Sequence, residues 1–203
     1  MNNSDCNSRY GINKRQFFSM IFPLLMLLAG CSPANMVKKD ERFDIKTVRP
    51  EQGKAALVVA RTTSFGGAIN FFTYLDKKSI GVTRGKGCFV KKDIEPSQQY
   101  LIARTESLEA GKIKFEPDTV YYVQQTPRMG VMVARVTMTP VTPDHLSEEI
   151  GEDGCTYYEL DQKDPPEDLT DHEYQEAVTD YEREVTEGYH KDFTEYKGFK
   201  VQN

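Results

Sequence analysis

Several features that would assign a chemistry to this sequence are missing from it. There are only four cysteines and three histidines, no Cys-x-x-Cys pair occurs, and His145, His172 and His190 lack the spacing of metal ligands. No local pattern supplies a nucleophile with its base, or two carboxylates at a defined spacing. The stretch Ser64–Gly67 lacks the Lys-Ser/Thr continuation of a phosphate loop and is interpreted as a strand connection. We therefore expect no metal, no cofactor and no catalytic residue, and a protein that is not an enzyme.

An excess of positive charge is also missing. The chain has 26 Lys and Arg against 31 Asp and Glu, a net charge of −5. Its first 30 residues contain three of the basic and one of the acidic side chains, so the remaining 173 residues carry −7. Nucleic acids and anionic lipid headgroups both require a positive protein surface. The charge therefore argues against nucleic-acid binding and against electrostatic attachment to a membrane.

The apolar run near the N-terminus is too short to span a membrane. It covers Phe17–Leu28, twelve residues, and follows a positive cluster formed by Arg9, Lys14 and Arg15. A helix that crosses the hydrocarbon core needs about 20 apolar residues. A basic segment, a short apolar run and small residues after it are the layout of a secretory signal peptide. We expect residues 1–30 to be cleaved.

The residues at the end of this run resemble the lipobox of bacterial lipoprotein signals. Leu28, Ala29, Gly30 and Cys31 match its Leu-Ala-Gly-Cys pattern in full. The resemblance implies cleavage before Cys31, a diacylglycerol on its sulfur and an acyl chain on its new amine. Each buried methylene contributes about 0.8 kcal/mol, so three chains would anchor the protein almost permanently. By the sorting rule for such lipoproteins, Ser32 in place of Asp implies the outer membrane, with the domain facing the periplasm.

After Cys31 the sequence divides by composition. Residues 31–50 are polar and aperiodic, which predicts a tether, and residues 51–140 contain short β-rich runs separated by Gly, Pro and charged turns. No helix-length apolar periodicity interrupts them, so we predict a mainly β fold, an antiparallel two-sheet sandwich. The predicted strands are Ala55–Arg61, Ile69–Leu75, Ser79–Thr83, Cys88–Val90, Gln99–Arg104, Lys112–Phe115, Thr119–Gln124 and Val131–Thr139.

The order of these runs resembles the bacterial domain of unknown function 2846. The resemblance rests on Leu57–Arg61, on Ile69–Leu75 followed by Asp76, on Ile80-Gly81 and on Phe115–Val123, and it covers about Ala55 to Thr139. It implies an immunoglobulin-like or prealbumin-like sandwich and implies no activity. Members commonly have Asp-Gly-Lys between the second and third strands. This chain has Asp76-Lys77-Lys78, so a two-residue hairpin is not expected there.

Two cysteines besides Cys31 remain after cleavage, and the sequence leaves two interpretations open. In an oxidising periplasm Cys88 and Cys155 could form a disulfide, which would stabilise the domain by about 4 kcal/mol on the chain-entropy model. Alternatively, Cys88 is a small core residue on a strand and Cys155 is a free thiol in a loop. Sequence spacing alone does not distinguish them.

Residues 141–169 are acidic, contain Pro165-Pro166 and predict a linker or a strap lying over the domain. Five apolar side chains of this segment can dock on the sandwich: Leu146, Ile150, Tyr157, Tyr158 and Leu160. The aspartates in and just after this segment lack the ordered spacing and central glycine of a hand-type calcium site. They are Asp161, Asp164, Asp168 and Asp171.

Residues 170–203 predict a C-terminal helix and an aromatic tail. Thr170 and Glu173 are spaced as a capping box, and Gly188 ends the helical pattern. Apolar side chains recur on one face of this helix. That face either packs on the sandwich or presents tyrosines to a partner. It contains Tyr174, Ala177, Val178, Tyr181 and Val185.

These features favour a lipid-anchored envelope module that acts by contact rather than by catalysis. Its expected partners are the membrane, through the lipid, and envelope proteins or peptidoglycan. The alternatives are an envelope enzyme, or a ligand-binding protein, whose site is not visible in the sequence.

The lipid anchor is tested by replacing Cys31 with Ser. The variant should accumulate as an uncleaved precursor without radiolabelled fatty acid, because the thiol that accepts the diacylglycerol is gone. The measurement is labelled palmitate incorporation in cells, with Cys6→Ser as the control that stays labelled. Labelling of the Cys31 variant would contradict the assignment.

Overall fold

The computed structural model describes residues 35–39, 43–129, 134–188 and 193–201. The predicted signal peptide, the lipidation site Cys31 and Ser32 lie outside the described residues. Within the described ranges the chain is mainly β, with two sheets and a C-terminal helix, as predicted. No helix in these ranges combines the length and the apolar character that a membrane crossing requires.

The strands are named in chain order. They are β1 (Met36–Lys38), β2 (Ala55–Arg61), β3 (Asn70–Leu75), β4 (Lys78–Arg84), β5 (Gly87–Ile94), β6 (Gln98–Arg104), β7 (Leu108–Lys114), β8 (Thr119–Met129), β9 (Ala134–Pro140), β10 (Thr156–Leu160) and β11 (Phe199–Lys200). The helices are α1 (Pro143–Ile150) and α2 (Asp171–Glu187), with 3-10 turns at Ile45–Thr47 and Phe193–Glu195.

The two sheets differ in strand direction. One has four antiparallel strands in the order β4-β3-β6-β7. The other has seven strands in the order β1-β10-β5-β2-β8-β11, with β9 paired to β8. In this second sheet β2 runs parallel to β8, and β10 runs parallel to β5, so the prediction of a fully antiparallel fold is wrong. The four-stranded sheet is inserted between β2 and β8 in the sequence, and a crossover of that length permits parallel pairing.

Strand β2 is buried on both faces along its whole length. Leu57 and Val59 point into the core between the two sheets. Val58 and Ala60 point the other way, into a second apolar layer on the outside of the seven-stranded sheet. This double burial accounts for the continuous, non-alternating apolar sequence of the strand.

The segment predicted as a tether is docked on this second layer over most of its described length. β1 pairs with β10, and Ile45 and Val48 are each only 3% exposed. Asp44 caps the 3-10 turn between them by accepting a hydrogen bond from the Lys46 N–H. The tether prediction is wrong for this part because the outer face of β2 requires an apolar cover.

The segment predicted as a linker or strap is also part of the fold. α1 buries Leu146 and Ile150 against the outer face of the seven-stranded sheet. β10 lies within that sheet, between β1 and β5. The expected docking of Leu146 and Ile150 is confirmed, because a few apolar side chains in an acidic stretch provide the packing that a second layer needs. The linker interpretation is wrong for residues 156–160, which form a strand of the sheet.

Helix α2 covers the outer face of the four-stranded sheet. The capping box of Thr170 and Glu173 is present, and Gly188 ends the helix with a left-handed φ of 76°. Tyr181 is 2% exposed, and its ring makes an edge contact with that of Tyr100.

The apolar face of α2 is therefore a packing face. Ala177 and Tyr181 are buried in the cluster with Tyr74 and Ile102 of the sheet, and Tyr174 and Val185 pack against it. Val178 is half-buried. Of the two alternatives, the structure has packing on the sandwich for Tyr174, Tyr181 and Val185, because the chain's own sheet occupies that part of the face. For Val178, contact with an external partner stays a prediction.

Two connections also differ from the prediction. Leu75 pairs with Lys78, so Asp76 and Lys77 form a two-residue turn, with Asp76 at a φ of 50°. Strand β8 continues through Pro127 to Met129 instead of ending at Gln124 as predicted. Its pairing with β2 ends at Gln125, so Pro127 has no neighbour on the β2 side to which an N–H would donate.

The packing role of α2 is tested by Tyr181→Ala. The loss of a buried aromatic ring should lower the free energy of unfolding by about 3 to 5 kcal/mol. Urea titration measures it, and Glu187→Ala, an exposed position on the same helix, should stay within about 0.5 kcal/mol of the parent protein. Equal stabilities of the two variants would show that the helix face is not packed.

Candidate contact surface

The β8–β9 hairpin extends beyond the rest of the seven-stranded sheet. The pairing of β2 with β8 stops at Arg61 and Gln125. From there to Met129, β8 pairs with β9 alone, with Pro127 opposite Val136 and Met129 opposite Ala134. One end of the sandwich is therefore a two-stranded arm with one open side.

The connection from β2 to β3, residues 62–69, lies on this open side and is fastened by Arg61. The Arg61 side chain is fully buried. Its guanidinium donates to the carbonyl oxygen of Ile69 at 3.0 Å and to that of Phe65, and it lies 4.2 Å from the centre of the Phe71 ring. Burial lowers the pKa of Arg61 from its usual value. The Arg61 guanidinium thus fixes the position of the surface loop between β2 and β3.

A buried polar network joins the two sheets next to Arg61. Gln125 accepts a hydrogen bond from the Thr83 hydroxyl at 2.6 Å and donates to the Thr73 oxygen at 3.0 Å. All three side chains are fully buried. Satisfied buried networks of this kind fix a single arrangement of the groups around them. The end of the sandwich is therefore held rigidly beneath the loop and the arm.

The loop and the arm enclose a groove of about 430 Å³, which we call the distal groove. Its lining is mostly apolar, and three charged side chains lie at its margin. Of the three exposed large hydrophobic residues in the described part of the chain, two are in this groove: Phe65 is 54% exposed and Met129 is 81% exposed. The lining consists of Phe65, Gly66, Ile69, Phe71, Glu106, Pro127, Arg128, Met129, Ala134 and Arg135.

Exposed apolar side chains that lie together are typical of contact sites. The third exposed hydrophobic residue, Val37, lies on β1 and is 45% exposed. β1 is antiparallel to β10, β10 is parallel to β5, and β5 is antiparallel to β2. β1 therefore points the same way as β2 and forms an edge of the seven-stranded sheet, four strand positions from β8, so Val37 is remote from the distal groove.

A second cavity, of about 580 Å³, lies between α2 and strands β7 and β9. Its carboxylates already have partners. Glu109 accepts a hydrogen bond from the Met138 N–H at 3.0 Å, and Asp180 pairs with Arg183 at 2.9 Å. Glu109 thereby holds the edge of β9 to β7, which gives this carboxylate a structural role.

The predicted site residues are not brought together. Cys31 lies outside the described residues. Of the two alternatives for Cys88 and Cys155, the structure has the disulfide, with the Cα atoms 5.8 Å apart. It joins β5 to the residue that precedes β10.

The aspartates in and just after the acidic segment 141–169 are held to the fold by hydrogen bonds and ion pairs. Asp168 accepts a hydrogen bond from the Ser79 N–H at 2.9 Å, and Asp171 pairs with Lys77 at 2.7 Å. These partners hold the pKa of both carboxyls below its usual value. In the described part of the chain, no three His, Cys, Asp or Glu side chains are grouped as metal ligands would be.

The residues of the distal groove were not predicted as a site from the sequence. The sequence pattern predicts a strand connection at Phe65 and a break between strands at residues 127–130. A usable signal was present: Arg128 and Arg135 flank a short apolar stretch, a pattern that a hairpin brings to one end of a sheet.

The role of Arg61 in holding residues 62–69 is tested by Arg61→Lys. Lysine keeps the positive charge but lacks the planar fork, so it cannot hold both carbonyls and stack on Phe71 in the same way. The amide of Ile69, which bonds to the Gly66 carbonyl, should exchange its hydrogen about tenfold faster. The Val58 amide in β2 serves as the control and should not change. Unaltered exchange at Ile69 would remove Arg61 from this role.

This chain is similar to an uncharacterized protein of Haemophilus influenzae. The two are 27% identical over 126 residues, which cover 61% of this chain and 74% of that protein. No family model matches the chain, and no solved structure matches it significantly.

Proposed function

We propose that this protein is a lipoprotein of the bacterial outer membrane that faces the periplasm and acts as a non-catalytic contact module. In this proposal the acylated Cys31 anchors the chain, and the distal groove makes the contact. For the finer fold we propose an immunoglobulin-like or prealbumin-like sandwich of the domain of unknown function 2846 type.

The anchoring part rests on the lipobox and is supported by the position of β1. Only four residue steps separate Cys31 from Asn35, the first described residue, and four residues span at most about 14 Å. Asn35 is itself held, because its side chain donates to the carboxylate of Asp164 at 3.0 Å. A lipid on Cys31 would therefore hold the edge of the domain close to the bilayer.

The disulfide supports the same location and strengthens the attachment. Disulfides persist in oxidising compartments such as the periplasm. The Cys88–Cys155 bond fastens the start of β10 to β5, and β10 pairs with β1. The anchored N-terminal strand β1 would thus be connected to the central strand β2 through its pairing with β10, the disulfide to β5 and the pairing of β5 with β2.

The observation that carries the contact role is the exposure of Phe65 and Met129 at one groove. Burying apolar surface contributes about 25 cal/mol per Å² of stabilising free energy, and the exposed parts of the Phe65 ring and the Met129 side chain do not contribute it. Aromatic residues and methionine are enriched in protein interfaces. A contact that covers this groove accounts for both side chains.

The contact role is tested by site-specific photo-crosslinking in the native envelope. A benzophenone side chain replaces either Met129 or, as the matched control, Val37. The Met129 position should yield a discrete protein adduct that disappears when Phe65→Ser is added. The Val37 position should yield none, because it lies on the edge strand β1, four strand positions from β8. Equal adducts at both positions, or no adduct at either, would contradict the proposal.

A further inference from the structure

Two arginines face each other across the β8–β9 arm without a counter-charge. Arg128 and Arg135 are directly opposite residues in the pairing of the two strands. Like charges at opposite positions of an antiparallel pair destabilise it. Both side chains are exposed, and neither makes an ion pair or a hydrogen bond with the described residues.

The absence of a counter-charge is notable because carboxylates are abundant in this chain. The mature sequence carries a net charge of −7, and elsewhere in the fold Arg104 pairs with Glu173 at 2.8 Å and Arg183 with Asp180 at 2.9 Å. The one carboxylate at the margin of the distal groove, Glu106, accepts a hydrogen bond from the Ala134 N–H instead. The two guanidinium groups are therefore available to an external anion.

Both arginines line the distal groove, and both also line the second cavity, where Glu109 and Asp180 are engaged by the Met138 N–H and by Arg183. A guanidinium group binds a carboxylate through two parallel hydrogen bonds, and two adjacent groups favour closely spaced carboxylates. The groove volume of about 430 Å³ accommodates inserted apolar side chains. A ligand that uses both features combines an apolar side chain with neighbouring carboxylates.

We propose that the distal groove binds an acidic, apolar segment of a partner protein. An apolar side chain of that segment enters the groove between Phe65 and Met129, and carboxylates on its flanks pair with Arg128 and Arg135. The inference rests on the contact role proposed above and specifies the chemistry of the partner.

A protein segment fits this site better than a lipid surface does. A bilayer takes up protruding side chains, whereas a groove receives a side chain from its partner. The domain as a whole is also strongly acidic, which opposes its approach to anionic headgroups. The positive charge that would attract an acidic segment is thus confined to Arg128 and Arg135.

The test measures binding of two synthetic peptides to the full-length mature lipoprotein in neutral detergent micelles. The first is a fluorescein-labelled twelve-residue peptide with a central Leu-Phe pair flanked by Asp and Glu. In the second, lysines replace every acidic residue. By fluorescence anisotropy the acidic peptide should bind about tenfold tighter than the basic one, and added salt should weaken its binding.

Variants separate the groove from the rest of the surface. Arg135→Glu and Met129→Ser should each weaken binding of the acidic peptide about tenfold. Lys92→Glu makes the same charge change on β5 and Val37→Ser makes a comparable apolar change on β1, and both should leave the affinity within about twofold. Thermal unfolding of each variant shows that the fold is retained.

Three results would overturn the inference: equal affinity for the two peptides, equal losses in the groove and control variants, or displacement of the acidic peptide when the micelles contain phosphatidylglycerol. The last would assign the groove to lipid. If the envelope crosslink at Met129 forms but the peptides bind equally, the contact role stands and only the partner chemistry is wrong.

Discussion

The burial of β2 on both faces is the constraint on which the rest of the structure depends. A strand with apolar side chains on both sides needs a layer above and a layer below. The four-stranded sheet provides one layer. The other is assembled from Ile45, Val48 and α1, which come from opposite ends of the domain sequence. The flanking segments are polar in composition, yet they fold because this strand offers them an apolar surface.

The same sheet keeps two features of the fold apart. β1 forms one edge of the sheet and is held through β10 and the disulfide to its centre. Four strand positions away, the β8–β9 arm continues beyond Arg61, where β2 stops. The open side of that arm becomes a groove because the buried guanidinium of Arg61 holds the neighbouring loop in place.

Much of the fold could be predicted from local sequence patterns. The alternation and turn residues between Ala55 and Thr139 indicate strands where the structure has β2 to β9, and the capping box and Gly188 mark the bounds of α2. Parallel pairing of β2 with β8 could not be predicted in this way, because it depends on which distant strand fills the place beside β2. The docking of residues 43–50 is not predicted, because their average polarity indicates a tether, whereas a few apolar side chains decide whether a segment packs. In residues 143–160 the apolar side chains do indicate docking, but local patterns give no sign that β10 joins the sheet between β1 and β5.

No single residue of the candidate site marks it as a site in the sequence. An exposed Phe65, an exposed Met129 and two arginines are each unremarkable alone, and only the hairpin register and the position of the loop bring them together. The contact proposed for this groove depends on a lipid that anchors the chain through Cys31, and mass spectrometry of the native N-terminal peptide tests this anchor most directly. The account predicts a first residue Cys31 that carries a diacylglycerol and an amide-linked acyl chain. An unmodified Cys31 within a longer N-terminus would contradict it.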